Sequence, residues 1–359
     1  MTTATTAFYE AIEKAAAGER LSYEEGLALL EGDDLVALGA AADDLRARLH
    51  PEGYATYCVD RNINYTNVCD VYCTFCAFYR PPGDHPESYI RTRDEIRQKL
   101  DELYAVGGRQ ILLQGGHHPD LRIEWYEELF SWMKSEFPDL HLHALSPPEI
   151  HHIARLEDMP YEVVLTRLNA AGLDSVPGGG GEILVDRVRD KISRLKVDTE
   201  GWLGVMRAAH NLGIRSSATM MFGHVETDAE RVEHLHRLRK LQDETGGFTA
   251  YICWTFQNDG AAPLKAQTVG SSEYLRMLAI SRLYLDNIAN FQSSWVTQGM
   301  KIGEISLHYG CNDMGSTMLE ENVVSAAGTT YALNEDDLHR MARNAGFTPR
   351  RRNFFYELI

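Results

Sequence analysis

Three cysteines fall within eight residues of the segment NINYTNVCDVYCTFCAFYR, residues 62–80. Cys69, Cys73 and Cys76 are spaced C-x3-C-x2-C. A loop of this spacing can fold three thiolates around a cube of iron and sulfide. Three protein thiolates leave one iron of a [4Fe–4S] cluster without a protein ligand, and that open position can chelate the amino and carboxylate groups of a methionine moiety. Zinc is the other metal to weigh, but a structural zinc takes four ligands. His85 and Cys58 could each serve as the fourth, and neither completes a familiar zinc spacing. Plain packing of buried cysteines would not call for the spacing at all. Phe75, directly before the last cysteine, is expected to pack near the cluster or an adenine ring.

The remaining sequence must present this loop. The chain has 359 residues, 44% of them apolar and 24% charged, which suits one large α/β domain with extensions. With 35 basic and 52 acidic residues the net charge is −17. Such a surface repels phosphate, so neither nucleic acid nor an anionic membrane is expected as a partner. Arg350-Arg351-Arg352 is the one dense basic run, and it reads as a solvated tail. The N-terminus lacks the apolar stretch of a secretory signal, and no segment approaches the roughly 20 apolar residues of a membrane span. A cytoplasmic, thiol-reducing location is expected, and six cysteines are too few for a disulfide scaffold.

Residues 6–50 carry helical periodicity, with Ser22 and Glu25 set as a capping box. Residues 1–53 are therefore expected to be a helical extension that packs on the main body, with homodimer formation as a second role. From residue 54, short apolar runs alternate with amphipathic stretches. The expected strands are Ile63–Thr66, Gln110–Gln114, Leu140–Leu145, Leu173–Val176, Ser216–Phe222, Thr249–Phe256, Phe291–Val296 and Glu304–His308. This alternation predicts an α/β fold: a full or partial (β/α) barrel over residues 54–310, followed by a C-terminal helical cap over 311–359.

In such a barrel, function sits on the loops that follow the strands. The cysteine loop follows the first. Gln114-Gly115-Gly116 ends the second, where glycines let backbone approach a ligand closely. His117 and His118 come next and could supply a base, although two adjacent side chains cannot both face one site from a strand. Pro177 and four consecutive glycines follow the fourth strand, with Glu182 as a hydrogen-bond acceptor. Arg189, further on, is either a partner for a carboxylate or a surface arginine. Trp254, Phe256 and Gln257 end the sixth strand, placed to sandwich a planar ligand or to fill core. His308, Tyr309, Asn312 and Asp313 follow the expected last strand and are expected to touch substrate at the barrel mouth.

The cysteine loop, after a first strand and before an α/β barrel, resembles the radical S-adenosylmethionine superfamily. The resemblance implies that a reduced cluster passes one electron into the sulfonium of S-adenosylmethionine. The resulting 5′-deoxyadenosyl radical then takes a hydrogen atom from substrate. It places Gln114-Gly115-Gly116 on the methionine amino group, Glu182 on the ribose or amino group, and Gly223, within Thr219–Glu226, near adenine. Tyr79 joins the cofactor contacts through the CAFYR segment. NINYTNVC, CAFYR, LLQGGHHPDL, SPPEI, GLDSVPGGGGEILVDRVR, WTFQ and LHYGCNDMGSTM are together similar to the enzymes of the futalosine route to menaquinone. Departures are Asp70 and Val71, where relatives often carry a basic residue, and Gly181 in place of alanine. The implied reaction is cyclisation of the nucleoside-type substrate dehypoxanthinylfutalosine: hydrogen abstraction from ribose C4′, closure onto the benzoate ring, then loss of one electron and one proton. His117, His118 and His308 are the candidate bases, and Arg80 and Arg91 the candidate anion partners. A low-potential electron donor is required. Aminofutalosine synthase and the radical halves of deazaflavin synthase remain alternatives within the superfamily. A zinc-stabilised binding protein is the alternative outside it.

Overall fold

The structure, a computed structural model, describes residues 3–258, 262–328 and 331–359. Its strands are β1 (Tyr54–Cys58), β2 (Asp60–Asn64), β3 (Gln110–Gln114), β4 (His141–Ala144), β5 (Ser175–Val176), β6 (Arg215–Phe222), β7 (Phe248–Thr255), β8 (Asn290–Gln292), β9 (Asp313–Ser316) and β10 (Thr348–Arg351). The helices are α1 (Thr3–Ala16), α2 (Tyr23–Glu31), α3 (Leu35–Leu49), α4 (Arg93–Ala105), α5 (Ile123–Glu136), α6 (Pro147–Glu157), α7 (Tyr161–Ala171), α8 (Asp186–Ile192), α9 (Thr199–Asn211), α10 (Asp228–Thr245), α11 (Ser271–Tyr284), α12 (Trp295–Gln298), α13 (Met300–Ser306) and α14 (Glu335–Asn344).

Every pairing between these strands is parallel, in the order β10-β1-β9-β8-β7-β6-β5-β4-β3-β2. β1 and β2 are consecutive parts of one extended run, separated by Val59 alone. β1 pairs with β9 and β10, whereas β2 pairs with β3. Beyond β9 the chain continues along the same run: the Thr317 N–H donates to the Cys58 carbonyl at 3.1 Å and the Leu319 N–H to the Asp60 carbonyl at 3.3 Å. The sheet therefore curls until both its ends share residues 54–64. This is the expected barrel, with helices outside.

The N-terminal helices pack on that body. The Ser22–Glu25 capping box forms as expected and opens α2. Close approach is made through glycines. A Cβ on Gly39 would lie 2.6 Å from the Tyr309 ring, and one on Gly26 would lie 2.7 Å from Tyr284. Arg276 of α11 donates to the carbonyls of Leu30 and Gly32.

Several expectations fail in the last third of the chain, where the expected strand Phe291–Val296 shortens to β8 and Trp295 opens α12. The segment expected as strand Glu304–His308 lies in and just after helix α13. A short apolar run of this kind fits either period. Gly299, at φ 80°, ends α12 and starts α13, and Gly303 lets α13 approach Met341 and Trp295. The closing strand is instead β9, Asp-Met-Gly-Ser, which lacks any β-branched run. Residues 311–359 are accordingly not a purely helical cap, since they contribute β9 and β10 to the sheet beside α14.

The basic run is not a solvated tail either. Arg352 is 3% exposed and grips Asp313 with two hydrogen bonds of 2.7 and 2.8 Å. Arg351 pairs with Glu335, and Arg350 lies over the Tyr54 ring. Replacing Arg352 by Met should leave a buried carboxylate without its cation and cost about 3–5 kcal/mol of stability in urea unfolding. Asp313→Asn added to that variant should recover part of the loss.

Several histidines are buried neutral beneath the loops. His210, held between Thr245 and Ser216, is pushed down to about 4, and His234 to about 3, in each case mainly by burial. The unfolded chain takes up these protons below about pH 6.5 while the folded chain refuses them until its own lower values. Stability should therefore be intact above about pH 6.5 and fall as pH drops toward 4. Urea midpoints measured across that range should fall less steeply for His210→Gln than for the parent.

Candidate active site

Side chains alternate along a strand, and the inward set here is mixed, with its polar members concentrated on β2 and β3. The barrel interior is lined by Cys58, Asp60, Asn62 and Asn64 from β1 and β2, and by Gln110, Leu112 and Gln114 from β3. Ser217, Thr219 and Met221 add to it from β6, and Ala250, Ile252 and Trp254 from β7. A barrel interior is ordinarily packed with branched apolar side chains. This one instead encloses a cavity of about 450 Å³, within the range of small-ligand sites.

The cysteine loop forms the rim of that cavity. Asn67 fixes its stem, donating to the Glu87 carbonyl and accepting the Tyr89 N–H. The Cys69 N–H donates to the Arg80 carbonyl at 2.9 Å, and the Arg80 guanidinium in turn donates to the carbonyls of Ala77, Phe78 and Tyr79. Arg80 is thus a brace for the loop and not a substrate anion partner. Arg91 is engaged with Glu95 and the Tyr89 ring. Cys69, Cys73, Cys76, Phe75 and Tyr79 all line the cavity, as expected. Burial raises the Cys69 thiol and pushes Cys73 up to about 12, opposed by the nearby Lys196 cation. A metal bound there would supply the charge that deprotonates them.

Gln114-Gly115-Gly116 lies directly beneath this loop. A Cβ on Gly116 would meet the Val68 carbonyl oxygen at 2.1 Å and the Cys69 Cβ at 2.9 Å, so glycine is required there. The turn is held by Glu149, 3% exposed. This carboxylate accepts the Gly115 N–H at 2.9 Å, the Tyr65 hydroxyl at 2.8 Å and both the N–H and the hydroxyl of Ser146. Glu149 also lines the cavity. Its role was missed in the sequence, where SPPEI carries only the signal of a capped helix start.

Across the cavity lies the glycine loop. A Cβ on Gly178 would lie 2.6 Å from the Ser217 carbonyl, and one on Gly179 would lie 2.5 Å from the Gln114 amide. Glu182 follows at φ 28°, a left-handed conformation that is costly for a side chain with a Cβ. It is 6% exposed. Its Oε1 accepts from Lys196 Nζ at 3.0 Å, and its Oε2 has no hydrogen-bond partner. Lys196 also stands 5.4 Å from the Phe75 ring centre and lines the cavity, a placement that no local motif announces. Arg189 does not line the cavity. It donates to the carbonyls of Gly180, Gly181 and Val197, bracing the loop from behind.

The other expected residues divide. Trp254 and Gln257 line the cavity with Phe256. His117 lines it too, 7% exposed, and burial holds its imidazole well below the usual range. His118 turns away, its ring accepting the Asp120 N–H. Gly223, at φ 84°, shapes a turn closed by Glu226 and packed against Val269, outside the cavity lining. The segment 308–313 does not reach the mouth, because it precedes β9 and so sits at the opposite end of the barrel. His308 is exposed beside Asp43, Tyr309 packs under α3, and Asn312 binds Arg282 and the Phe291 N–H. Asp313 is the buried partner of Arg352 and Thr56.

The residues present fit a [4Fe–4S] cluster with S-adenosylmethionine. Three thiols share one rim, a glycine cradle brings backbone to their edge, and the buried Glu182 Oε2 offers an acceptor without a donor.

Comparison with known proteins agrees with this geometry. Residues 63–238 match the radical SAM superfamily, and residues 245–359 match the CofH/MqnC C-terminal region. The chain is 48% identical over 348 residues to the cyclic dehypoxanthine futalosine synthase of Halalkalibacterium halodurans, covering 97% of this chain and 94% of that protein. It is 42% identical over 356 residues to the aminodeoxyfutalosine synthase of Thermus thermophilus, covering 97% and 94%. Among solved structures, methylornithine synthase superposes with a TM-score of 0.73 at 18% identity, over 95% of this chain and 97% of that one. The hydrogenase maturase HydG from Carboxydothermus hydrogenoformans gives 0.74 at 14%, over 97% and 80%. At such identities the superpositions speak for the fold alone. With near-complete relatives at this level and both regions matched, the chain belongs to the radical SAM superfamily, in the group with a CofH/MqnC C-terminal region.

Proposed function

We propose that this protein is the radical cyclase that converts dehypoxanthinylfutalosine to its cyclic form in menaquinone biosynthesis. Relatives 48% identical over nearly the whole chain carry that activity in their names. The observation that carries the reading is a single cavity, with three thiols and a glycine cradle at its rim and a polar chamber below. A site for making a radical thus opens directly onto room for a hydroxyl-bearing substrate.

Cys69, Cys73 and Cys76 would hold the cluster, which together with S-adenosylmethionine supplies a 5′-deoxyadenosyl radical. Gln114, Gly115 and Gly116 offer backbone groups to the methionine end, and Glu182 accepts a ribose hydroxyl or the ammonium. Phe75, Trp254 and Phe256 provide apolar walls that keep water from a reactive carbon. Hydrogen is taken from ribose C4′ and the ring closes onto the benzoate. Aromaticity then returns as one electron passes to a one-electron acceptor and one proton to a base, so the product is two hydrogens lighter than the substrate. Of the three candidate bases, His117 lines the cavity, which supports it as the acceptor of that proton. Reducing the cluster needs a low-potential electron donor, and among the described residues no helix is long and apolar enough to cross a membrane.

Purified without oxygen, the protein should carry about four irons per chain. With reductant, S-adenosylmethionine and dehypoxanthinylfutalosine it should yield 5′-deoxyadenosine and a product two hydrogens lighter. A turnover product heavier than the nucleoside supplied would point to a coupling reaction of the aminodeoxyfutalosine type instead. Cys73→Ala should abolish 5′-deoxyadenosine formation, and retained turnover in that variant would overturn the assignment. Glu182→Gln weakens a charge-assisted acceptor, so KM for S-adenosylmethionine should rise roughly tenfold or more. KM for the nucleoside should change little.

A further inference from the structure

We propose that Asp60, Asn62 and Gln110 form an acceptor subsite inside the barrel that receives the sugar hydroxyl groups of the substrate. The inference rests on the reading above that the substrate is a nucleoside-type molecule. Asp60 and Gln110 are register partners on β2 and β3, and Asn62 is the next inward residue on β2. The three are 7%, 4% and 9% exposed, and all line the cavity. Asp60 Oδ1, Asn62 Oδ1 and Gln110 Oε1 have no hydrogen-bond partner.

A buried polar atom left unpaired is costly, and folded proteins keep few of them. Three on adjoining positions of one cavity wall imply that the partners arrive with a ligand. The chemistry of that ligand follows from the donor set. Gln110 Nε2 already donates to Asp60 Oδ2 at 3.4 Å, so the amide oxygen is the group left without a partner. The patch therefore offers a carboxylate and two carbonyl oxygens. Oxygens of this kind take hydroxyl or amine donors. Asn64, one inward position higher, shows the contrast. Its amide donates to the Gln114 carbonyl and its oxygen accepts from Asn322, so it is satisfied within the protein.

Position supports a substrate role over a cofactor one. The glycine turn and cysteine loop stand at the C-terminal ends of β2 and β3, whereas Asp60 and Gln110 begin those strands. Four residues of strand separate them, about 13 Å at the usual rise. A sugar held by Asn62 and its neighbours lies deeper in the barrel than the group bound at the rim.

The test is equilibrium binding by calorimetry on anaerobically reconstituted holoenzyme, with dehypoxanthinylfutalosine and an analogue lacking the ribose 2-hydroxyl. Asn62→Leu and Gln110→Met each remove one acceptor at similar volume. Each should weaken the parent nucleoside roughly five- to tenfold while S-adenosylmethionine affinity stays within about twofold, which also reports a folded rim. The penalty for the missing hydroxyl should shrink in at least one of the variants relative to the parent protein. Unchanged nucleoside affinity in both variants, or an undiminished penalty in both, overturns the subsite while leaving the cyclase reading standing. A parent protein that neither binds nor turns over this nucleoside overturns the cyclase reading itself, and the subsite with it.

Discussion

One extended run, residues 54–64, has to satisfy the backbone groups of both ends of the sheet. Its first half serves β9 and β10 and its second half serves β3, with the change of partner at Val59. This closure depends on a buried charge pair. Asp313, on the strand that meets β1, is fully buried and holds Arg352 and the Thr56 hydroxyl at once. The C-terminal tail is thereby tied across the end of the barrel. Because the run ends at Asn64 against the barrel wall, the loop that follows it can emerge only at the rim. Cys69, Cys73 and Cys76 inherit their position from that constraint.

The rim in turn is an arrangement of buried charge. Glu182 stands between two cations, with Lys196 hydrogen-bonded to it and Arg189 3.7 Å away. Arg189 is occupied by backbone carbonyls, which leaves Lys196 as the cation exposed to the cavity. A positive group beside Cys69 and Cys73 offsets part of the cost of forming thiolates where burial otherwise resists it. Glu149 performs the complementary task on the other side, turning one buried carboxylate into a clamp for the glycine turn and for the start of α6. The two glycine turns meet across the cavity through the Gln114 amide, so the cavity-facing backbone on both sides is set by packing.

Much of this was legible beforehand. Strand–helix alternation, the cysteine spacing and the glycine turns at strand ends depend on local periodicity and on chemistry confined to a few residues. The end of the chain was not. Glu304–His308 has the composition of a short buried strand, but its neighbours Gly299 and Gly303 admit a helix that packs on Met341. β9 has almost no strand propensity and exists because Asp313 and the run 54–64 hold it. Once that strand was misplaced, His308, Tyr309, Asn312 and Asp313 were assigned to the wrong end of the barrel. Arg189, read as a carboxylate's partner or a surface arginine, instead braces the glycine loop through its carbonyls, and Gly223, read as near adenine, shapes a turn outside the cavity lining.

The sequence by itself determined the reactive centre, because a three-thiolate loop needs only three cysteines at the right separations along one short segment. It also determined the repeating strand–helix unit, whose hydrophobic period is local. Only the tertiary structure decided what shares the cavity with those cysteines. Lys196 comes from a loop, Glu149 from α6, Asp60 and Asn62 from β2 and Gln110 from β3, and each reads alone as an ordinary polar residue. They become a site when strand register turns them inward and the barrel removes their water.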